Sequence, residues 1–264
     1  MRTTQRTFSA PPPKKARPVL AKSAATALLP GARMFLNRKK KATERLLDEI
    51  MQVSPDEQTC LEYLAQGANP KATDSCRIPI LVRAAEKDMT DTVLTLIEKG
   101  ADINVQCNVG SAALICAVGN NNTRLAHALI KKGADVNICN VFGITPLILA
   151  AGKGESKTID LLLAHGAEIN QQDTYGRTAL MIAAKNGMAV SAFHLAARGA
   201  DPSIKNEDGN SIHSLADSTL VAGITHIYTT AKADAFRTAA QKGTTQSRKI
   251  IHRRKPVTGG KHGR

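Results

Sequence analysis

The sequence predicts an all-α solenoid, a stack of repeated helix pairs with no central core, and three observations carry that prediction. Glycine recurs at Gly67, Gly100, Gly133, Gly166 and Gly199, a spacing of 33 at every step. Within each interval two short apolar stretches alternate with turn residues, the pattern of paired helices rather than of a sheet. Aromatic residues make up only 3% of the chain and tryptophan is absent. Packing must therefore rest on alanine and leucine between thin layers, not on large rings around one centre.

Each element of the unit has a local cause. The repeat is clearest in NVFGITPLILAAGKGESKTIDLLLAHGAEINQQ, residues 140–172, and DTYGRTALMIAAKNGMAVSAFHLAARGADPSIK, residues 173–205. Gly143 shares a column with Gly110, Gly176 and Gly209 and supplies a turn residue free to take positive φ. Thr145 and Pro146 start a helix: the hydroxyl accepts a free backbone amide, and proline is tolerated at the first helical position. Leu147, Leu149, Ala150 and Ala151 give that helix a narrow apolar face, on which small alanines let a neighbour approach. After a polar break, Ile159, Leu161, Leu162 and Leu163 form a second apolar helix, and Gly166 ends it. Residues 168–170 then carry the chain outward to the next turn, so one unit is turn, helix, helix, hairpin.

This pattern resembles the ankyrin repeat, a 33-residue unit with a TPLHLAA helix start and an LLLxxGADVN helix end. The resemblance implies an ankyrin-repeat domain over residues 41–237, with full units at 74–106, 107–139, 140–172 and 173–205. A degenerate opening cap would occupy 41–73 and a fading closing cap 206–237. Residues 1–40 and 238–264 are expected to be disordered basic tails, with helical extensions near Thr43 and Ala231. Departures from the family pattern carry expectations of their own. The histidine of the helix start is replaced by Val82, Ile115, Ile148, Met181 and Ser214, which predicts greasier contacts between units. Arg77 occupies the turn-glycine column and Pro79 the threonine column, which puts the first turn in doubt. His213 replaces a core leucine, in keeping with the wetter outer face of a closing cap.

A stack of such units makes a curved slab in which no pocket closes, whereas catalysis needs convergent polar groups in a cleft that excludes water. No enzyme activity, cofactor or metal is expected. Gly152, Lys153, Gly154 and Lys157 lack the GxxxxGK[ST] spacing of a phosphate loop and fall at a helix–helix turn. His127, His165 and His194 have no partner one helical turn away, as a metal site on a helix would require. Cys60, Cys76, Cys107, Cys116 and Cys139 include no CxxC pair and read as reduced thiols of an intracellular protein.

What remains is recognition. The family resemblance implies that contacts come mainly from hairpin tips and from outward positions on the first helix of each unit. The third column of the frame reads Cys76, Val109, Phe142, Tyr175 and Asp208, and apolar side chains stacked one per repeat would make a contiguous anchor patch. Alternatively, those side chains merely cover the hairpin edge of the next repeat. The candidate partner-binding residues are Val109, Phe142, Ile144, Lys153, Tyr175, Arg177, Lys185 and Asn186. Their expected ligand is another protein, held by a monomeric adaptor, inhibitor or effector.

Charge is distributed unevenly. The chain carries a formal net charge of +14, yet no Asp or Glu occurs before Glu44 or after Asp234. The first 43 residues hold 11 Lys and Arg and the last 30 hold 9, which leaves 16 basic and 22 acidic residues between them, a net of −6. Lys14, Lys15 and Arg17, supported by Arg253, Arg254 and Lys255, resemble short nuclear import clusters. The same tails would serve for nonspecific contact with nucleic acid or an acidic surface. The resemblance also extends to secreted bacterial ankyrin effectors, whose export signals can be basic C-terminal tails. Ser9 in RTFSAP has the spacing of a basophilic kinase site. The apolar stretch 19–29 is broken by Lys22 and stopped by Pro30, too short for a membrane span. A secretory signal is disfavoured by the long charged preamble, and a transit peptide by prolines 11–13. Cytoplasm or nucleus is the expected compartment, with secretion as an effector the alternative.

Overall fold

The computed structural model describes residues 30–252, and these form twelve helices: α1 Pro30–Ile50, α2 Glu57–Ala65, α3 Ile80–Glu86, α4 Thr90–Glu98, α5 Ala113–Gly119, α6 Thr123–Lys131, α7 Pro146–Lys153, α8 Ser156–Ala164, α9 Ala179–Lys185, α10 Ala189–Ala197, α11 Ile212–Leu215 and α12 Ser218–His252. The central eight are antiparallel pairs repeating with the 33-residue period, and each pair packs on the next. No named strand occurs among the described residues; the loops make only two isolated antiparallel bridges, Thr73 with Pro79 and Gln106 with Ala112.

The helix limits follow the chemistry of the repeat. The Thr145 and Thr178 hydroxyls accept the amides of Ile148 and Met181 at 3.2 and 3.3 Å, capping α7 and α9, and Pro146 opens α7. At the other end, Gly100 at φ +94° lets its own N–H reach Ile97 O at 2.9 Å and the Ala101 N–H reach Leu96 O at 3.0 Å, which satisfies carbonyls that α4 leaves open. Lys232 stands where the next glycine of that series would fall. Nothing ends the helix there, and α12 runs on to His252.

One continuous apolar layer threads the stack, from Ala42, Leu46 and Ile50 of α1 to Val221 and Ile224 of α12. Val82, Ile115, Ile148 and Met181, which stand in place of the family histidine, are all buried. The expected apolar contact between units is therefore what links them. Ser214 and His213 of the short α11 lie exposed on the closing unit. Residues 30–40 and 238–252, which composition assigns to the tails, are helical in α1 and α12, so the helical extensions reach further than their expected sites near Thr43 and Ala231. In α1, Pro30 sits at the first position, where its missing N–H costs nothing, and a proline-free, glycine-poor run follows.

Polar side chains cross from unit to unit along both edges. On the loop edge, Asn104, Asn137 and Asn170 accept the backbone amides of Asp135, Glu168 and Asp201 at 2.9, 2.8 and 2.9 Å. These are the last residues of a recurring motif, GADIN at 100–104, GADVN at 133–137 and GAEIN at 166–170, and each ties its own unit to the following one. The bonds link the loop after each second helix to the equivalent loop of the next unit.

Candidate protein-interaction surface

Between units the chain projects five finger-like turns, at residues 74–78, 107–111, 140–144, 173–177 and 206–210. Each turn is closed by two backbone bonds, as in the third finger, where Gly143 N–H donates to Asn140 O at 2.9 Å and Asn140 N–H to Ile144 O at 3.2 Å. Four begin with Asp or Asn, whose side chain also binds the turn. Asp173 Oδ1 accepts the amides of Tyr175 and Arg177, both at 2.9 Å, and Asn140 Oδ1 those of Phe142 and Ile144 at 2.9 and 3.0 Å. The recurrence of Asp74, Asn140, Asp173 and Asn206 on the 33-residue frame could have revealed this role; Cys107 interrupts the series. Arg77 holds φ at +63°, so the first turn forms without its glycine.

Neighbouring fingers bond to one another. The Val141, Thr174 and Glu207 amides donate to the carbonyls of Val109, Phe142 and Tyr175 at 3.1, 3.0 and 3.1 Å. The third-column residues are thus held in register by their own backbone, while their side chains face outward. Val109, Phe142 and Tyr175 are 48%, 52% and 54% exposed, with Val141 beside them at 57%. About half of each side chain is therefore in solvent, and together they form an exposed apolar file.

At the C-terminal end of this file the slab is slightly concave, in a groove of about 290 Å3 lined by Tyr175, Arg177, Ile182, Lys185, Asp208 and Leu215 among others. The Arg177 guanidinium lies 4.8 Å from the Tyr175 ring centroid and also reaches the buried Asp173 Oδ2, at 2.8 Å from Nε and 2.6 Å from Nη2. Ring and cation are thereby set as one rigid unit. A matching pair in the first unit places Arg83 Nε 2.8 Å from Asp74 Oδ2. Burial pushes the Asp74 carboxyl up, but the Ile78 amide and Arg83 outweigh it and leave the group below its ordinary value.

The remaining candidates sort by what their side chains touch. Ile144 is half-buried against the core. Lys185 is exposed and lines the groove. Lys153 Nζ donates to Gly119 O, and Asn186 Nδ2 to Gly152 O at 3.0 Å. Asn120 Nδ2 donates in the same way to Ala85 O and Glu86 O, both at 3.1 Å. Lys153 and Asn186 are thus links between helix turns, a role that single-unit reasoning missed. Ser9, Lys14, Lys15, Arg17, Arg253, Arg254 and Lys255 lie outside the described residues.

Among the described residues no three His, Cys, Asp or Glu side chains gather as they would around a metal, and no helix is long and apolar enough to cross a membrane. His194 instead stands 3.6 Å from Asp160, whose carboxylate also pairs with Arg198 at 2.7 Å.

No curated protein matches the chain. The family model described as ankyrin repeats in three copies matches residues 50–140 and again 121–206, more than half of the sequence. With the 33-residue period, the capped helix pairs and the linked fingers already in place, that match leads to one conclusion: the chain belongs to the ankyrin-repeat family.

Proposed function

We propose that the protein is a non-catalytic interaction module that holds a partner protein along the finger file Val109, Phe142 and Tyr175 and the adjoining groove at Arg177 and Lys185. Ankyrin repeats in general serve protein–protein interaction and are scaffolds rather than enzymes. One observation carries the assignment to this face: three apolar side chains, one per repeat, stand half in solvent on turns tied to one another by backbone bonds. Such a file is ordered before a partner arrives, so little conformational freedom is lost on docking. Its aromatic members and the stacked arginine are the residue types that dominate interface energetics. A slab of this kind acts by occupying a partner's surface, which suits an adaptor, an inhibitor or an effector.

The test is Phe142→Asp combined with Tyr175→Asp. A partner captured by the full chain is first identified by mass spectrometry, and its affinity is then measured for parent and variant. Each change should remove about 2 kcal/mol, so the pair weakens binding by two to three orders of magnitude, roughly. Unchanged affinity in a variant that melts like the parent would rule this face out.

A further inference from the structure

Both terminal helices run past the loop edge of the stack. Lys39 of α1 lies against Gly67, and Thr43 Oγ1 accepts the Asn69 amide at 2.8 Å, so the loop that follows α2 is level with residues 39–43. Residues 30–38 extend beyond it by about 13 Å. At the opposite end, Ile227 and Tyr228 of α12 still pack on the core; the Ser203 hydroxyl and amide hold the Asp201 carboxyl, in the loop after Gly199, below its ordinary value, and Lys232 is near enough to add to that effect. Residues 233–252 then run on for about 30 Å. The two overhangs are an N-terminal extension of a first helix and a C-terminal extension of a second helix. In an antiparallel pair those ends point the same way, so one flat surface can meet both.

Their chemistry is matched. The α1 overhang and its root expose Arg38, Lys39, Lys40 and Lys41, and α12 exposes Lys232 at the root of its extension and Arg237 within it, with Asp234 between them. The α1 overhang also exposes three consecutive large apolar side chains, Met34 at 74%, Phe35 at 58% and Leu36 at 50%. Phe35 and Lys39 continue the helix stripe that Ala42, Leu46 and Ile50 bury in the core, and the Lys39 ammonium sits 4.5 Å from the Phe35 ring centroid. Among the described residues the stripe thus reaches past its last partner helix, with Phe35 exposed.

Charge alone would suit nucleic acid, but that partner would leave Met34, Phe35 and Leu36 in water. An anionic lipid surface takes both features at once: apolar side chains at the boundary between headgroups and acyl chains, and lysines among the phosphates. We propose that this loop edge docks on an anionic bilayer surface, with Met34, Phe35 and Leu36 inserted, Arg38–Lys41 on the headgroups, and Lys232 and Arg237 of α12 as the second contact. A single weak attachment binds membranes only marginally, and two together hold.

The experiment is co-sedimentation of the full chain with vesicles of phosphatidylcholine alone and of phosphatidylcholine with about one-third phosphatidylglycerol. Binding is expected only to the anionic vesicles and should fall as salt is raised. Lys39→Gln, Lys40→Gln and Lys41→Gln together should weaken it by roughly fivefold each, about a hundredfold in all. Phe35→Ser with Leu36→Ser, which leaves the charge intact, should weaken it by about tenfold. All these side chains lie outside the core, so a parent-like melting curve accompanies each loss. Failure to sediment with anionic vesicles, or equal sedimentation with both compositions, overturns the proposal. So does binding to a duplex DNA oligonucleotide that survives the serine changes while vesicle binding is absent, a result that assigns the basic helices to nucleic acid.

Discussion

Gly143→Ala tests whether the fingers are coupled or merely adjacent. Gly143 sits at φ +70°, and a Cβ added there would lie 2.9 Å from both Asp173 Cα and Thr174 N in the next finger. Those are backbone atoms that cannot rotate away. Holding alanine at positive φ costs about 1 kcal/mol. Separating the fingers breaks the bonds from Thr174 N–H and Thr174 Oγ1 to Phe142 O, each 3.0 Å, for about 1 kcal/mol apiece. The sum is roughly 3 kcal/mol. Gly209→Ala is the matched control, because Gly209 has φ +77° but nothing within 4 Å of the added methyl. It should lose only the backbone part, about 1 kcal/mol. Urea unfolding followed by circular dichroism, with the slope of the transition compared between variants, separates the two. The chain contains its own precedent: Arg77 occupies this column with a Cβ, and among the described residues no backbone amide of the second finger reaches Cys76 O. Equal losses for the two alanine variants would refute finger coupling and, with it, the rigidity claimed for the Phe142 and Tyr175 file.

Two further perturbations probe the ends of the stack and its interior. The Asp74 carboxyl is held below its ordinary value of 3.8, so its contribution to stability is full above about pH 4 and is lost as pH falls through the lower folded value. Asp74→Asn retains a side-chain oxygen for the Cys76 and Ile78 amides, as Asn140 does in its own turn, and gives up the charged bond to Arg83. Unfolding free energy measured from pH 5 to about pH 2 should therefore decline less steeply in the variant; identical slopes would remove the Arg83 pairing from the account. Burial pushes the Cys60 and Cys116 thiols up to about 12, whereas Cys76 is exposed on its finger. At pH 8 a thiol-reactive dye should label Cys76 quickly, the partly buried Cys116 slowly and Cys60 only after denaturant is added, and prompt labelling of Cys60 in the folded chain would contradict its place in the core beside α1.

Much of this architecture was legible because each local signal lies within one unit. The glycine series fixed the period, Thr145 and Pro146 marked a helix start, and the apolar residues in the histidine column announced buried contacts. Signals that act between units were not legible in the same way. The asparagine of the GADIN motif bonds to an amide 31 residues away, as from Asn104 to Asp135, a distance over which hydrophobic periodicity carries no information. Lys153 and Asn186 read as outward contact residues for the same reason, since their carbonyl partners belong to the preceding repeat. The helical ends were concealed by composition. Averaged over residues 1–40, proline and lysine signify a tail, but Pro30 opens a helix instead of breaking one, and Lys232 offers no stop.

The candidate site and the inferred membrane contact follow from one property of the stack. Each unit covers its apolar face only by lying against the next, so a polar or apolar residue repeated at 33-residue spacing becomes a line on the surface. Where the repeated position points into the stack, the line is a seam, as with Asn104, Asn137 and Asn170. Where it points outward, the line is a file available to a partner, as with Val109, Phe142 and Tyr175. Outside α1 the described residues form no further unit, and the stripe that α1 buries in the core passes into water as Phe35 and Lys39. A closed globule would have folded such residues over its own core, whereas an open stack leaves them for other molecules. The finger file and the α1 overhang are separate surfaces, so substitutions at Phe142 and at Phe35 should act independently on their respective ligands.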